Sequence, residues 1–158
     1  MLPLVPVVQM IRNIKLFCCI GESPKFIGVG GTTMDDSVAP FSSVGPPSYG
    51  NDTIKPDVSA PGHQICSASH LSDNGYVEFE GVDMACPHVA GLVALVLSRE
   101  PNLSVSDVHK CLRKGAVPTK STGGNCGGIP DNTFPNFHAG YGRVSAFATF
   151  KCLGGLID

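Results

Sequence analysis

The stretch YVEFEG followed by VDMACPHVAG, residues 76–91, reads as a short strand, a glycine turn and the start of an apolar helix. Such a junction gathers the unpaired N–H groups and the positive dipole end of a helix at one point, where anions are favoured. Enzymes use that arrangement to hold a nucleophile and to stabilise a developing oxyanion. Here the residue at that point is Asp83. An Asp that caps a helix also contributes about 1 kcal/mol of stability with no function attached, so the carboxylate alone does not make a site. The other titratable groups add little. His63, His70, His109 and His138 show no carboxylate pattern beside them and are expected at the surface, while His88 falls inside the helical stretch. Seven cysteines without CxxC, HExxH or a tight His/Cys group point away from structural zinc, and His63 with Cys66 is a lone pair. Asp35 and Asp36 could suggest calcium, but adjacent carboxylates in a turn are ordinarily only solvated.

The elements that must position Asp83 follow from the surrounding pattern. KFIGVGG, from Lys25, is a short buried strand running into a turn. Residues 39–62 are rich in Pro, Gly and Ser, which forbids helix and leaves a structured loop with one strand near IKPDVS. QICSAS and YVEFE are two short strands separated by the turn signal SDNG. Residues 84–98 are apolar nearly all the way round, the signature of a core helix, with Asp83 as N-cap and Pro87 in the first turn. A second helix is signalled by Ser104 as N-cap, Asp107 three residues on, Val105, Val108 and Leu112 on one face, and Gly115 as C-cap. Residues 118–138 are loop-rich, and a last short helix covers residues 142–150.

Composition narrows the class. Of 158 residues, 19 are Gly, 13 are Pro and only 15% are charged, so the chain is globular and loop-rich and neither a disordered tail nor a coiled coil. One domain is expected at this length. A formal net charge of -2 with no basic cluster argues against nucleic acid or a membrane surface as partner. No apolar run reaches the roughly 18 residues of a membrane span. MLPLVPVV at the start carries two prolines and no basic n-region, so it does not read as a signal peptide. The odd cysteine count leaves compartment and disulfide pairing open.

With these residues in view, the chain resembles the subtilisin-like serine proteases. Residues 81–91, GVDMACPHVAG, are similar to the nucleophile motif GTSMAxPHVAG, agreeing at nine of eleven positions when the variable one is counted: Gly81, Met84, Ala85, Pro87 and His88 all keep their places. FIGVGGTT resembles the strand VIxVGAT, FSSVGP stands unaltered, KPDVSAPG matches KPDVxAPG, and HAGYGRVSA resembles GxGxVNA. The resemblance spans about residues 20–150 and keeps the family's order. It implies an α/β fold, the C-terminal half of a subtilisin-like three-layer architecture with a mostly parallel sheet and a central buried helix. Residues 20–150 would form this partial peptidase domain, residues 1–19 a poorly formed N-terminal segment and residues 151–158 a C-terminal tail.

The departures bear on function. By the motif, the nucleophilic serine falls at Asp83 and the preceding threonine at Val82, so both hydroxyls are gone. The other triad members sit in DTG-type and HGTH-type motifs of an N-terminal half, and neither motif occurs in this sequence. VVQMIRN aligns with the family's VVxAAGN so that Asn13 falls on the oxyanion-hole amide, with Ile11 and Arg12 replacing Ala-Gly. The resemblance thus implies a serine endopeptidase by ancestry that is inactive as written. The alternative is a non-catalytic module that holds a peptide or a cationic group near Asp83. By family, the partner is a peptide or protein substrate, the setting is extracellular or secretory, and calcium is an optional ion with no support in these residues. An exposed sheet edge is expected to favour self-association.

Overall fold

The computed structural model describes residues 16–17, 26–47 and 53–157; Asn13 and nearly all of the first 25 residues lie outside the described set. Three parallel strands form the sheet, in the order β1 (Leu16–Phe17), β2 (Ile27–Thr32) and β3 (Val58–Pro61). Val29 pairs with Val58 and Thr32 with Pro61. All of β2 is buried, as befits a parallel strand covered on both faces.

The edge of β3 away from β2 is taken up by a later segment. Ser59 donates its N–H to the Gly142 carbonyl and accepts from the Val144 N–H, each at 2.8 Å, and the Tyr141 N–H donates to the Asp57 carbonyl at 2.9 Å. Gly140 makes the approach possible: at φ 65° it lies so close that a Cβ would stand 2.3 Å from the Pro56 carbonyl oxygen.

Helix α1 (Val82–Arg99) packs on β2 and β3 through Ala85, Cys86, Val89, Leu92, Val93, Val96 and Leu97. Composition suggests burial on every face, but Asp83, Pro87, His88, Gly91 and Leu95 form an exposed stripe, with Leu95 59% accessible. The stripe escapes notice in the sequence because most of its residues are small or apolar. The same composition makes α1 long and apolar enough to cross a bilayer by that criterion alone; here its other face belongs to the core.

Helix α2 (Val105–Lys114) begins as expected. Ser104 is extended, and its Oγ accepts from the Asp107 N–H at 3.1 Å. Its apolar face, Val108, Cys111 and Leu112, is buried, and α2 packs against α3 (Ala146–Ile157). Helix α3 starts four residues later and runs further than the expected 142–150. Gly142, at φ 117°, keeps the chain out of helix, and Ser145 then accepts from the Thr149 N–H at 2.9 Å. Residues 151–157, expected as a tail, are its second half: Leu153 is fully buried and Cys152 is bonded to Cys111.

Two antiparallel ribbons complete the described chain. β4 (Ile65–Ala68) and β5 (Tyr76–Phe79) form the expected hairpin about SDNG. β6 (Asn125–Cys126) and β7 (Ile129–Pro130) lie in the loop-rich stretch. That stretch is fixed by polar side chains. Fully buried Asn136 donates Nδ2 to the carbonyls of Asp131 and Thr133, and its Oδ1 accepts from the N–H groups of His138 and Ala139. Asp131 accepts from Ser121, Thr122 and Gly124. The Ser121 hydroxyl first, and then the Thr122 and Gly124 N–H groups, hold its carboxyl well below the usual range. The stabilisation this carries is present above the ordinary Asp range and is lost as pH falls below it.

Candidate active site

The carboxyl ends of β2 and β3 meet the start of α1. The Gly62 N–H donates to the Thr32 carbonyl at 3.0 Å, and the Gly81 N–H donates to the Gly62 carbonyl at 2.8 Å. These main-chain bonds carry the ladder of the sheet into the helix. In open α/β sheets, sites form in the crevice beyond the carboxyl ends of the strands, and the junction lies there.

Gly81, at φ 148°, occupies the cap position and no side chain caps the helix. Asp83 is therefore the second helical residue rather than the N-cap. It is exposed, beside the first N–H groups of the helix, which lack intrahelical acceptors. Pro87 is the sixth helical residue and not part of the first turn. Lacking an N–H, it leaves the Asp83 carbonyl without its helical donor.

The remaining motif residues surround this point. Ala85 is fully buried against the sheet. Met84, Pro87 and His88 line a shallow groove of about 300 Å³ with Ile65, Cys66 and Ser67 of β4. His88 is exposed, and its Nδ1 lies 2.8 Å from the Met84 carbonyl oxygen, a bond to its own helix that fits a structural role.

Three of the histidines expected at the surface depart from expectation. His63 pairs with Glu80 at 3.3 Å, because the β4–β5 hairpin returns the chain so that residues flanking Gly62 and Gly81 meet. His109, on α2, is half-buried; burial pushes it below its ordinary value, partly opposed by nearby Asp57. His138 is half-buried against Gly124, and His70 is exposed as expected.

Both members of the acidic pair are engaged by other side chains. Asp35 accepts from Thr33 Oγ1 at 2.6 Å, Ser37 Oγ at 3.1 Å and Lys120 Nζ at 3.3 Å, which lower its carboxyl to about 2. Asp36 faces Arg143 at 2.6 Å. Each carboxylate already has a cationic partner. Among the described residues no three His, Cys, Asp or Glu side chains are grouped to hold a metal.

The fold and this junction define an α/β scaffold with an anion-favouring helix start at its strand ends, and comparison with known proteins gives it a family. The Subtilase family model of peptidases matches residues 19–142. Bacillopeptidase F of Bacillus subtilis is 36% identical over 127 residues, covering 78% of this chain and 8% of that protein. Subtilisin-like protease SBT4.12 of Arabidopsis thaliana is 39% identical over 97 residues, covering 54% of this chain and 13% of that protein. Among solved structures, the CspB protease of Clostridium perfringens superposes with a TM-score of 0.65 at 29% identity, over 81% of this chain and 26% of that one. The prenylagaramide maturation protease PagA matches in fold, with a TM-score of 0.63 at 24% identity, over 84% of this chain and 44% of that one. The chain spans less than half the length of each of these relatives. It belongs to the subtilase family, and its fold is that of the subtilisin-like proteases.

Proposed function

We propose that this chain descends from subtilisin-like serine endopeptidases, which hydrolyse peptide bonds, and does not itself cleave peptides, because Asp83 stands where the attacking serine would be. The observation that carries the reading is the exposed position of Asp83 at the second residue of α1, beyond the carboxyl ends of β2 and β3. A carboxylate there would place negative charge where an oxyanion must develop, and its attack on an amide would give a reactive mixed anhydride. Removing the nucleophile or the base of a Ser–His–Asp triad costs about a millionfold in turnover. Purified protein incubated with a broad fluorogenic peptide set and a serine-reactive fluorophosphonate is expected to show neither hydrolysis nor labelling. Asp83→Ser alone is expected to stay inactive, since no DTG or HGTH segment in this sequence supplies the other two groups. Covalent labelling of a serine in the unaltered chain overturns the proposal.

A second reading is favoured by charge at the same place. Glu78 on β5 and Glu80 just after it are exposed close in sequence to the exposed Asp83, and acidic side chains gathered there suit a Lys, Arg or amino-terminal group. Lysine-rich peptides are expected to bind the unaltered chain more tightly than Asp83→Asn; equal binding removes this reading. The Cys111–Cys152 disulfide supports an extracellular or secretory setting for either one.

A further inference from the structure

The polar face of α2 borders a cavity of about 720 Å³, remote in the sequence from the α1 junction. Ser106, His109, Lys110, Arg113 and Lys114 recur at the spacing that puts them on one side of a helix, and Tyr141 also lines the cavity. No carboxylate lines the cavity among the described residues. In a chain with a net charge of -2, three cationic side chains have been gathered at one concave surface.

What lies beneath leaves that charge uncancelled. Lys55 is fully buried, and its Nζ donates to Asp57 Oδ2 at 2.5 Å and to the Phe26 carbonyl at 2.8 Å. Arg113 bonds to the other oxygen of the same carboxylate. Lys55 and Asp57 offset one another, so the one buried anion does not cancel the three cations at the cavity. The Arg113 guanidinium is held 5.3 Å from the centre of the Tyr141 ring, and its Nε, buried, meets no acceptor among the described residues. Lys110 and Lys114 are exposed and form no ion pair among the described residues.

We propose that this cavity binds a phosphate monoester, with Lys110, Lys114 and Arg113 around the phosphate and Val105 and Tyr141 against its organic part. A dianionic phosphate answers the surplus charge, and cations around it make charge-assisted hydrogen bonds. The volume lies in the range of small-molecule sites and well above what a bare ion needs. His109, driven toward its neutral form by burial, adds a hydrogen-bonding ring rather than a fourth charge.

Calorimetric titration of the full chain with phenyl phosphate at low ionic strength tests the site. Saturable binding at one site per chain is expected, with no binding of phenol. Lys110→Met/Lys114→Met is expected to weaken it about tenfold or more. Both lysines are exposed, so the double variant should keep the melting temperature of the unaltered protein. Lys120→Met, altered on a different loop, should bind as before. Absence of saturable heat, undiminished binding by the double variant, or inorganic phosphate binding as tightly as phenyl phosphate each overturns the assignment.

Discussion

Asp57→Ala is expected to leave the chain without a cooperative unfolding transition near ambient temperature. Asp57 is buried, and besides its bonds to Lys55 and Arg113 its Oδ2 accepts the Gly28 N–H at 2.7 Å. Truncation strands a fully buried ammonium and a half-buried guanidinium with no counter-charge. Removing one partner of a buried ion pair costs about 3–5 kcal/mol, which is most of the total stability of a domain at the low end of the usual range of about 5–15 kcal/mol. Asp57→Asn keeps the shape and one acceptor but not the charge, so it should fall between the two. Lys55→Met should cost less than either, because Arg113 still neutralises Asp57. Urea denaturation followed by circular dichroism measures all three; a midpoint for Asp57→Ala close to that of the unaltered protein contradicts this account.

Loss of the Cys111–Cys152 bond is expected to be comparably severe. The bridge closes a loop spanning 41 positions and ties α2 to α3. Loop-closure entropy for a span of that order gives about 4 kcal/mol. Both sulfurs sit at the packed α2–α3 contact, so the Cys111→Ser/Cys152→Ser variant adds the burial of hydroxyls to the lost constraint. Thermal melting with and without dithiothreitol should show a drop of many degrees in the unaltered protein and none in the double variant. An unchanged transition under reducing conditions refutes the assignment.

Local features of the fold were readable where one short segment carries the whole cause. Ser104, Asp107 and Gly115 announce both ends of α2 because capping acts within a few residues. The strand FIGVGG and the hairpin about SDNG declare themselves in the same way. The start of α1 falls two residues earlier than expected because Gly81, at φ 148°, opens the helix with no side-chain cap and its own carbonyl accepts the Met84 N–H. The motif from Gly81 to His88 marked the junction, and the structure places it at the helix start on the strand ends. The His63–Glu80 pair was not visible in the sequence, since it depends on hairpin register. Arg113 reaching Asp57 across 56 positions, and Cys111 reaching Cys152, depend on which elements pack together, and neither spacing nor composition encodes that.

The main-chain link from Thr32 through Gly62 to Gly81 has an evolutionary consequence. Main-chain bonds and the buried Ala85 seat the first turn of α1, and the side chain at position 83 is exposed. The architecture therefore makes no demand on what stands there. A lineage carrying this scaffold can exchange the occupant of that position while the links that seat the helix persist.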